Sequence, residues 1–131
     1  MTTDMQGCIN FINTAGLILL ETQKNVMIDA QIIEELEFLD EDGRPFHSHP
    51  VERTLTKGVA TYSETVIVQT KTKKLKPIEY HITPLKDEQQ VQVGVLMVMR
   101  ERQEQVEKSS RFYQIQKTMT PNTYPDPQSI N

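Results

Sequence analysis

The chain lacks tryptophan altogether and holds one cysteine and three histidines in 131 residues. A single thiol, Cys8, cannot close an internal disulfide, which removes the disulfide-stapled secreted scaffolds. No apolar run reaches membrane-spanning length, and no charged-then-apolar leader opens the sequence. Lys and Arg number 14 against 18 Asp and Glu, and the net charge of -4 is scattered, so nucleic acid finds no basic stripe. A Ser or Cys nucleophile motif, a phosphate-cradling Gly loop and a spaced carboxylate pair with a reason for burial are missing too. The length suits one domain with a moderate core. The expectation is a soluble, cytoplasmic, non-catalytic domain, compatible with a longer and membrane-anchored parent protein.

What is present is a clear order of elements. "CINFI" at residues 8–12 has strand composition, and Asn13-Thr14 cap a helical stretch, "AGLILLETQ", with Ala15, Leu17 and Leu20 available for burial. Residues 26–39, "VMIDAQIIEELEFL", space Ile28, Ile32, Ile33, Leu36 and Leu39 mostly by three or four, which predicts a short helix. Asp42-Gly43 and Pro45 then mark a turn. Pro50 at a first helical position, Glu52 in the first turn and Gly58 as a stop predict a compact helix over 49–57.

Three strands follow. "YSETVIVQT" is rich in β-branched residues, and "LKPIEYHITPLKD" alternates Ile78, Tyr80 and Ile82 against Glu79, His81 and Thr83. "VQVGVLMVM" sets Val91, Val93, Val95, Met97 and Met99 against Gln92, Gly94, Leu96 and Val98, and its apolar second half predicts a central strand. The short polar connections "KTKK" and "KDEQQ" suit antiparallel hairpins. From Arg100 the sequence holds no Gly or Pro as far as Met119 and predicts an exit helix. Met99, Val106 and Tyr113 recur every seven residues, widened by Phe112 and Ile115, toward a partner helix or the sheet. "TPNTYPDPQSIN", at 120–131, has the composition of a disordered tail or linker.

His47 and His49 stand one residue apart in "HSHPVERTLTKG". With Pro50 opening a helix, the simpler reading of His49 is a cap or near-cap residue bonded to a free amide. Zinc would need four ligands, and His47, His49, His81 and Cys8 fall on separate elements without metal-site spacing, so no metal is expected.

"MTTDMQGCINFINTAGLILL", "GRPFHSHPVERTLTKG" and "KPIEYHITPLKDEQQVQVGVLMVMRE" resemble, in order and spacing, the PAS domains found upstream of diguanylate cyclase, phosphodiesterase and histidine kinase modules. The resemblance covers roughly residues 1 to 105 and implies an α+β PAS fold: an antiparallel sheet with short helices on one face and a C-terminal exit helix. It divides the chain into a core at 1–100, a signalling and dimerisation helix at 101–119 and the tail at 120–131. Met1 falls within the family's first strand, which implies that most of that strand is missing. The family's Asp-aliphatic-Thr at the exit is here Glu101-Arg102-Gln103.

The resemblance further implies a non-catalytic sensory and dimerisation module of a bacterial signalling protein. Its expected partners are a second copy and an effector domain, with no nucleic acid and no membrane span in this chain. Phe11, Leu36, Phe38, Leu55, Val66, Ile78, Tyr80 and Val95 are candidates to line a ligand pocket. The dimer and signalling residues would be Met99, Val106, Phe112, Tyr113 and Ile115. Heme-binding relatives take an iron ligand from the helix that His49 opens, so a heme-based gas or redox sensor with His49 or His47 is one alternative. A ligand-free dimerisation domain with a filled core is another. Flavin is disfavoured, since no Asn-Cys-Arg-Phe run and no tryptophan are present, and no covalently bound cofactor is expected.

Overall fold

The structure is a computed structural model and describes residues 1–70 and 72–102. Six strands form one antiparallel sheet: β1 (Thr2–Thr3), β2 (Ile9–Phe11), β3 (Glu37–Leu39), β4 (Thr61–Gln69), β5 (Leu75–Lys86) and β6 (Gln92–Glu101). Their order is β2-β1-β6-β5-β4-β3, so β4 to β6 make a meander and the N-terminal strands complete one edge. Four short helices, α1 (Thr14–Leu20), α2 (Lys24–Met27), α3 (Ile32–Glu35) and α4 (Pro50–Lys57), lie in the sequence between β2 and β4.

Strand alternation decides which side chains meet the helices. On β5, Ile78, Tyr80 and Ile82 are buried inward, and their partners Val66, Met99 and Met97 share that face. Together with Ile9, Leu20, Met27, Ile32, Val51 and Val95 they build one core between helices and sheet. The outer face carries Pro77, Glu79, His81 and Thr83 on the same strand. Part of that face is also covered: Leu39, Ile67 and Leu75 are 2–4% exposed, whereas Tyr62 and Val98, in the row of His81 further along the strands, are 52% and 55% exposed. Gly94 is where β6 meets β1, and a Cβ there would lie 1.9 Å from the Thr3 carbonyl oxygen, so only glycine permits the approach.

Several expectations need correction. Residues 26–39 are not one helix, because Ile28 is extended and Asp29 takes φ 71°, its N–H reaching the Ile9 carbonyl at 2.7 Å. The stretch resolves into the end of α2, then α3, then β3, which leaves Ile33 exposed. Ala15 is exposed as well, although Leu17 and Leu20 pack as expected. Val91 and Val93 are exposed because the pairing of β5 with β6 shifts register at Leu85/Lys86, where the strand runs beyond the core. The C-terminal strand also outlasts its predicted end: β6 continues through Glu101, so Met99 is a strand residue paired with Tyr80 rather than part of a helix. Val106, Phe112, Tyr113 and Ile115, and the expected helix and tail beyond Arg102, lie outside the described residues. No helix among the described residues is long and apolar enough to cross a membrane.

Candidate functional site

The face between helices and sheet is organised around α4. Its ends follow from the sequence: Pro50 occupies the first turn, and Gly58 at φ 66° closes the helix by donating to the Thr54 carbonyl at 3.0 Å. His49 is the N-cap. Its Nδ1 accepts from the Val51 N–H at 3.2 Å, which makes Nε2 the protonated nitrogen, and Nε2 donates to the Leu36 carbonyl at 3.0 Å. Burial holds the imidazole below its ordinary range, against the smaller opposing influences of that carbonyl and Glu52. The neutral ring stacks on Phe38, centroids 4.8 Å apart, and Phe38 stacks on Tyr80 at 5.4 Å with the planes 3° from parallel.

Of the predicted pocket residues, Leu36, Phe38, Val66, Ile78, Tyr80 and Val95 are gathered in the core, and Leu55 packs partly buried against them. Phe11 does not join them. It is 54% exposed, because it pairs with Thr2 and Thr2 with Leu96 on the outer face. Among the described residues, clefts flank this core on the α2 and α4 sides. One, of about 270 Å³, lies among Leu20, Val26, Met27, Leu36 and Thr70. The other, of about 350 Å³, opens between the first turns of α4, the start of β4 and Tyr80.

The second cleft contains polar groups that sequence reasoning missed. Arg53 lines it from α4, three residues after Pro50 and therefore on the same helix side. Thr61 lines it from β4, its buried hydroxyl beside the Tyr80 phenol. Burial pushes the Tyr80 phenol up, while the nearby Thr61 hydroxyl and the Arg53 charge pull it back down. The i, i+3 relation of Pro50 and Arg53 was the available signal; nothing local in the sequence marks Thr61.

The remaining candidate ligands do not converge. His47 is exposed, His81 lies on the outer face with its ring 4.3 Å from Tyr62, and Cys8 accepts a hydrogen bond from Gln31 at 3.2 Å. Among the described residues no group of three His, Cys, Asp or Glu is placed to hold a metal ion. Heme does not fit either histidine as arranged: both nitrogens of His49 are engaged within the protein, and His47 is outside the core.

No family model and no curated protein matches this chain. Solved structures do. The PAS domain of nitrogen regulation protein NR(II) from Vibrio parahaemolyticus superposes with a TM-score of 0.59 at 15% identity, over 78% of this chain and 86% of that one. A PAS domain from Colwellia psychrerythraea gives 0.58 at 19% identity, over 77% and 82%. The chain has the PAS fold. The dark structure of the blue-light photoreceptor Aureochrome1 LOV matches at 0.62 and 13% identity, over 86% and 80%. At these identities the likeness is one of PAS architecture, and the ligand has to be argued from the residues of the site.

Proposed function

We propose that this chain is a non-catalytic sensory and dimerisation module of a bacterial cytoplasmic signalling protein, relaying the state of its helix-covered face to whatever follows Arg102. One observation carries the reading. The Arg102 N–H donates to the Pro77 carbonyl at 2.9 Å, so the chain leaves the sheet on β5, one residue from Ile78. Ile78 is fully buried in the inner core while Pro77 faces outward. A change in inner packing at Ile78 would act on the backbone that anchors the exit, the position from which a two-state relay can be biased.

The outer face supports the rest of the proposal. The outer face carries a buried apolar cluster at Leu39, Ile67 and Leu75, of the kind that the apolar stripe of Val106, Phe112, Tyr113 and Ile115 read from the sequence would suit. Pro77 pairs with Ile67 beside that cluster. The open row of Tyr62, His81 and Val98 is the surface assigned to a second copy.

Hydrogen exchange at Arg102 tests the relay without knowledge of a ligand. Ile78→Val is compared with Ile9→Val, both fully buried positions, so that general destabilisation is matched. Selective acceleration at Arg102 in Ile78→Val is expected; equal behaviour in the two variants refutes the relay. Sedimentation of the whole chain at high micromolar concentration tests the dimer, and a single-chain mass there removes that part.

A further inference from the structure

We propose that Glu21, Lys74 and Lys76 form an ion-pair strap between the end of α1 and the β4–β5 hairpin, through which ionic strength sets how firmly the exit is anchored at Pro77. This rests on the relay reading above and names a regulator for it.

The strap begins at a residue in an unusual backbone state. Glu21 closes α1 at φ 51° and ψ 50°, its N–H donating to the Ile18 carbonyl at 3.2 Å. That left-handed position favours glycine, and glutamate lacks the short side chain with which Asn or Asp bonds its own backbone there. The carboxylate is engaged at a distance instead. Its Oε1 meets Lys74 Nζ at 2.6 Å, 53 residues away in sequence, and its Oε2 meets Lys76 Nζ at 3.1 Å. The two ammonium groups hold the Glu21 carboxyl below its ordinary range.

Lys76 makes this more than a surface contact. It lies two residues before Ile78 and pairs with the buried Val68, so it projects on the helix-covered side of the sheet, and 20% of its side chain is exposed. The strap therefore crosses from one layer to the other. Glu21 lines the cleft of about 270 Å³ from the helix side, and Thr70 and Thr72 line it from the hairpin. Pro77 follows Lys76 directly, and its carbonyl takes the Arg102 N–H at 2.9 Å. The proline ring fixes one of the two soft torsions of that residue, so a shift of Lys76 reaches the exit bond with little slack. The side chains of Glu21 and Lys74 are 34% and 58% exposed, which opens the strap to screening, and added salt loosens it.

The test is native-state amide exchange of the isotope-labelled whole chain at about 0.05 and about 0.5 M KCl. Arg102 reports the exit, and Thr70, which donates to the Lys74 carbonyl at 3.0 Å, reports the hairpin. Met97, bonded to the Met1 carbonyl at the other edge of β6, reports general stability. In the wild type, added salt should speed Arg102 and Thr70 about threefold relative to Met97, the scale of one partly exposed ion pair. Glu21→Gln should be fast at both amides already at low salt and lose the salt response. Glu21→Gly should do the same with a melting temperature level or higher, since glycine suits the left-handed turn, which separates the lost carboxylate from a damaged helix end. No salt response at Arg102 in the wild type, a response retained in Glu21→Gln, or wild-type exchange in Glu21→Gly would each overturn the strap. Any of these with selective acceleration at Arg102 intact in Ile78→Val leaves the relay reading standing; loss of that acceleration removes the reading itself.

Discussion

His49 joins the first turn of α4 to Leu36, its Nε2–H donating to the Leu36 carbonyl at 3.0 Å while Nδ1 takes the Val51 amide at 3.2 Å. One neutral imidazole thus fixes two segments, and protonation would cost it the Val51 bond. The ring's position on Phe38 links this joint to Tyr80 and the cleft beside α4.

A pH dependence follows from that joint. Burial lowers the folded-state pKa of His49, so as pH falls through the ordinary imidazole range the unfolded chain takes up a proton that the folded chain does not. The His49 contribution to stability is therefore complete above the unfolded value of about 6.5 and declines below it, until the folded ring also protonates. Urea midpoints measured at pH 7.5 and 5.5 should show a larger fall for the wild type than for His49→Asn. Asn keeps a preferred N-cap without the titration. Parallel curves for the two proteins would assign the acid sensitivity to other groups.

Gly94→Ala should be among the most damaging single-methyl changes in the chain. The added Cβ meets backbone, the Thr3 carbonyl oxygen, which cannot turn aside as a side chain would. Separation of β1 from β6 or distortion of the edge is expected, at about 2–4 kcal/mol, the upper part of the range for strained and overpacked sites. Amide exchange at Met97, whose N–H bonds to the Met1 carbonyl at 2.8 Å, reports the loss directly. Near-native protection there would contradict the close approach.

The sequence carried the regular parts of this fold in its periodicity. Alternation on β5 placed Ile78, Tyr80 and Ile82 inward, and Pro50 with Gly58 bounded α4 as the backbone requires. Residues 26–39 misled because helical spacing of apolar residues does not reveal a left-handed residue, and Asp29 tolerates that conformation where most side chains do not. Phe11 misled for a different reason. Its strand was right, but the register shift in β1 between Thr2 and Thr3 sets which of its faces is inward, and pairing register is a tertiary property. The polar groups of the cleft were hidden in the same way, since Arg53 and Thr61 meet only through packing of α4 beside β4.

Truncating Phe11 and Ile78 separates the outer face from the core. Ile78→Ala empties a fully buried position and should cost about 2–5 kcal/mol, whereas Phe11→Ala, at an exposed site, should stay within about 0.5 kcal/mol. Denaturant unfolding of the two variants gives both numbers. A large loss for Phe11→Ala at low concentration would mean that this ring is covered after all.

The most demanding prediction concerns Leu39, Ile67 and Leu75, which are buried on a sheet face where the row of Tyr62, His81 and Val98 is open. If residues 103–119 are their cover, a chain ending at Arg102 exposes one side of three side chains at once. Losing roughly half the burial of each is about 1 kcal/mol apiece, so a fall near 3 kcal/mol is expected relative to the full chain. The uncovered patch should also bind a hydrophobic dye, and Ile67→Ser in the shortened chain should suppress that binding. Ile67 is the right position for this control because it sits between Leu39 and Pro77 in the pairing of β3, β4 and β5. Equal stability and no dye binding in the shortened chain would release residues 103–119 from the sheet and leave them free to act with a partner instead.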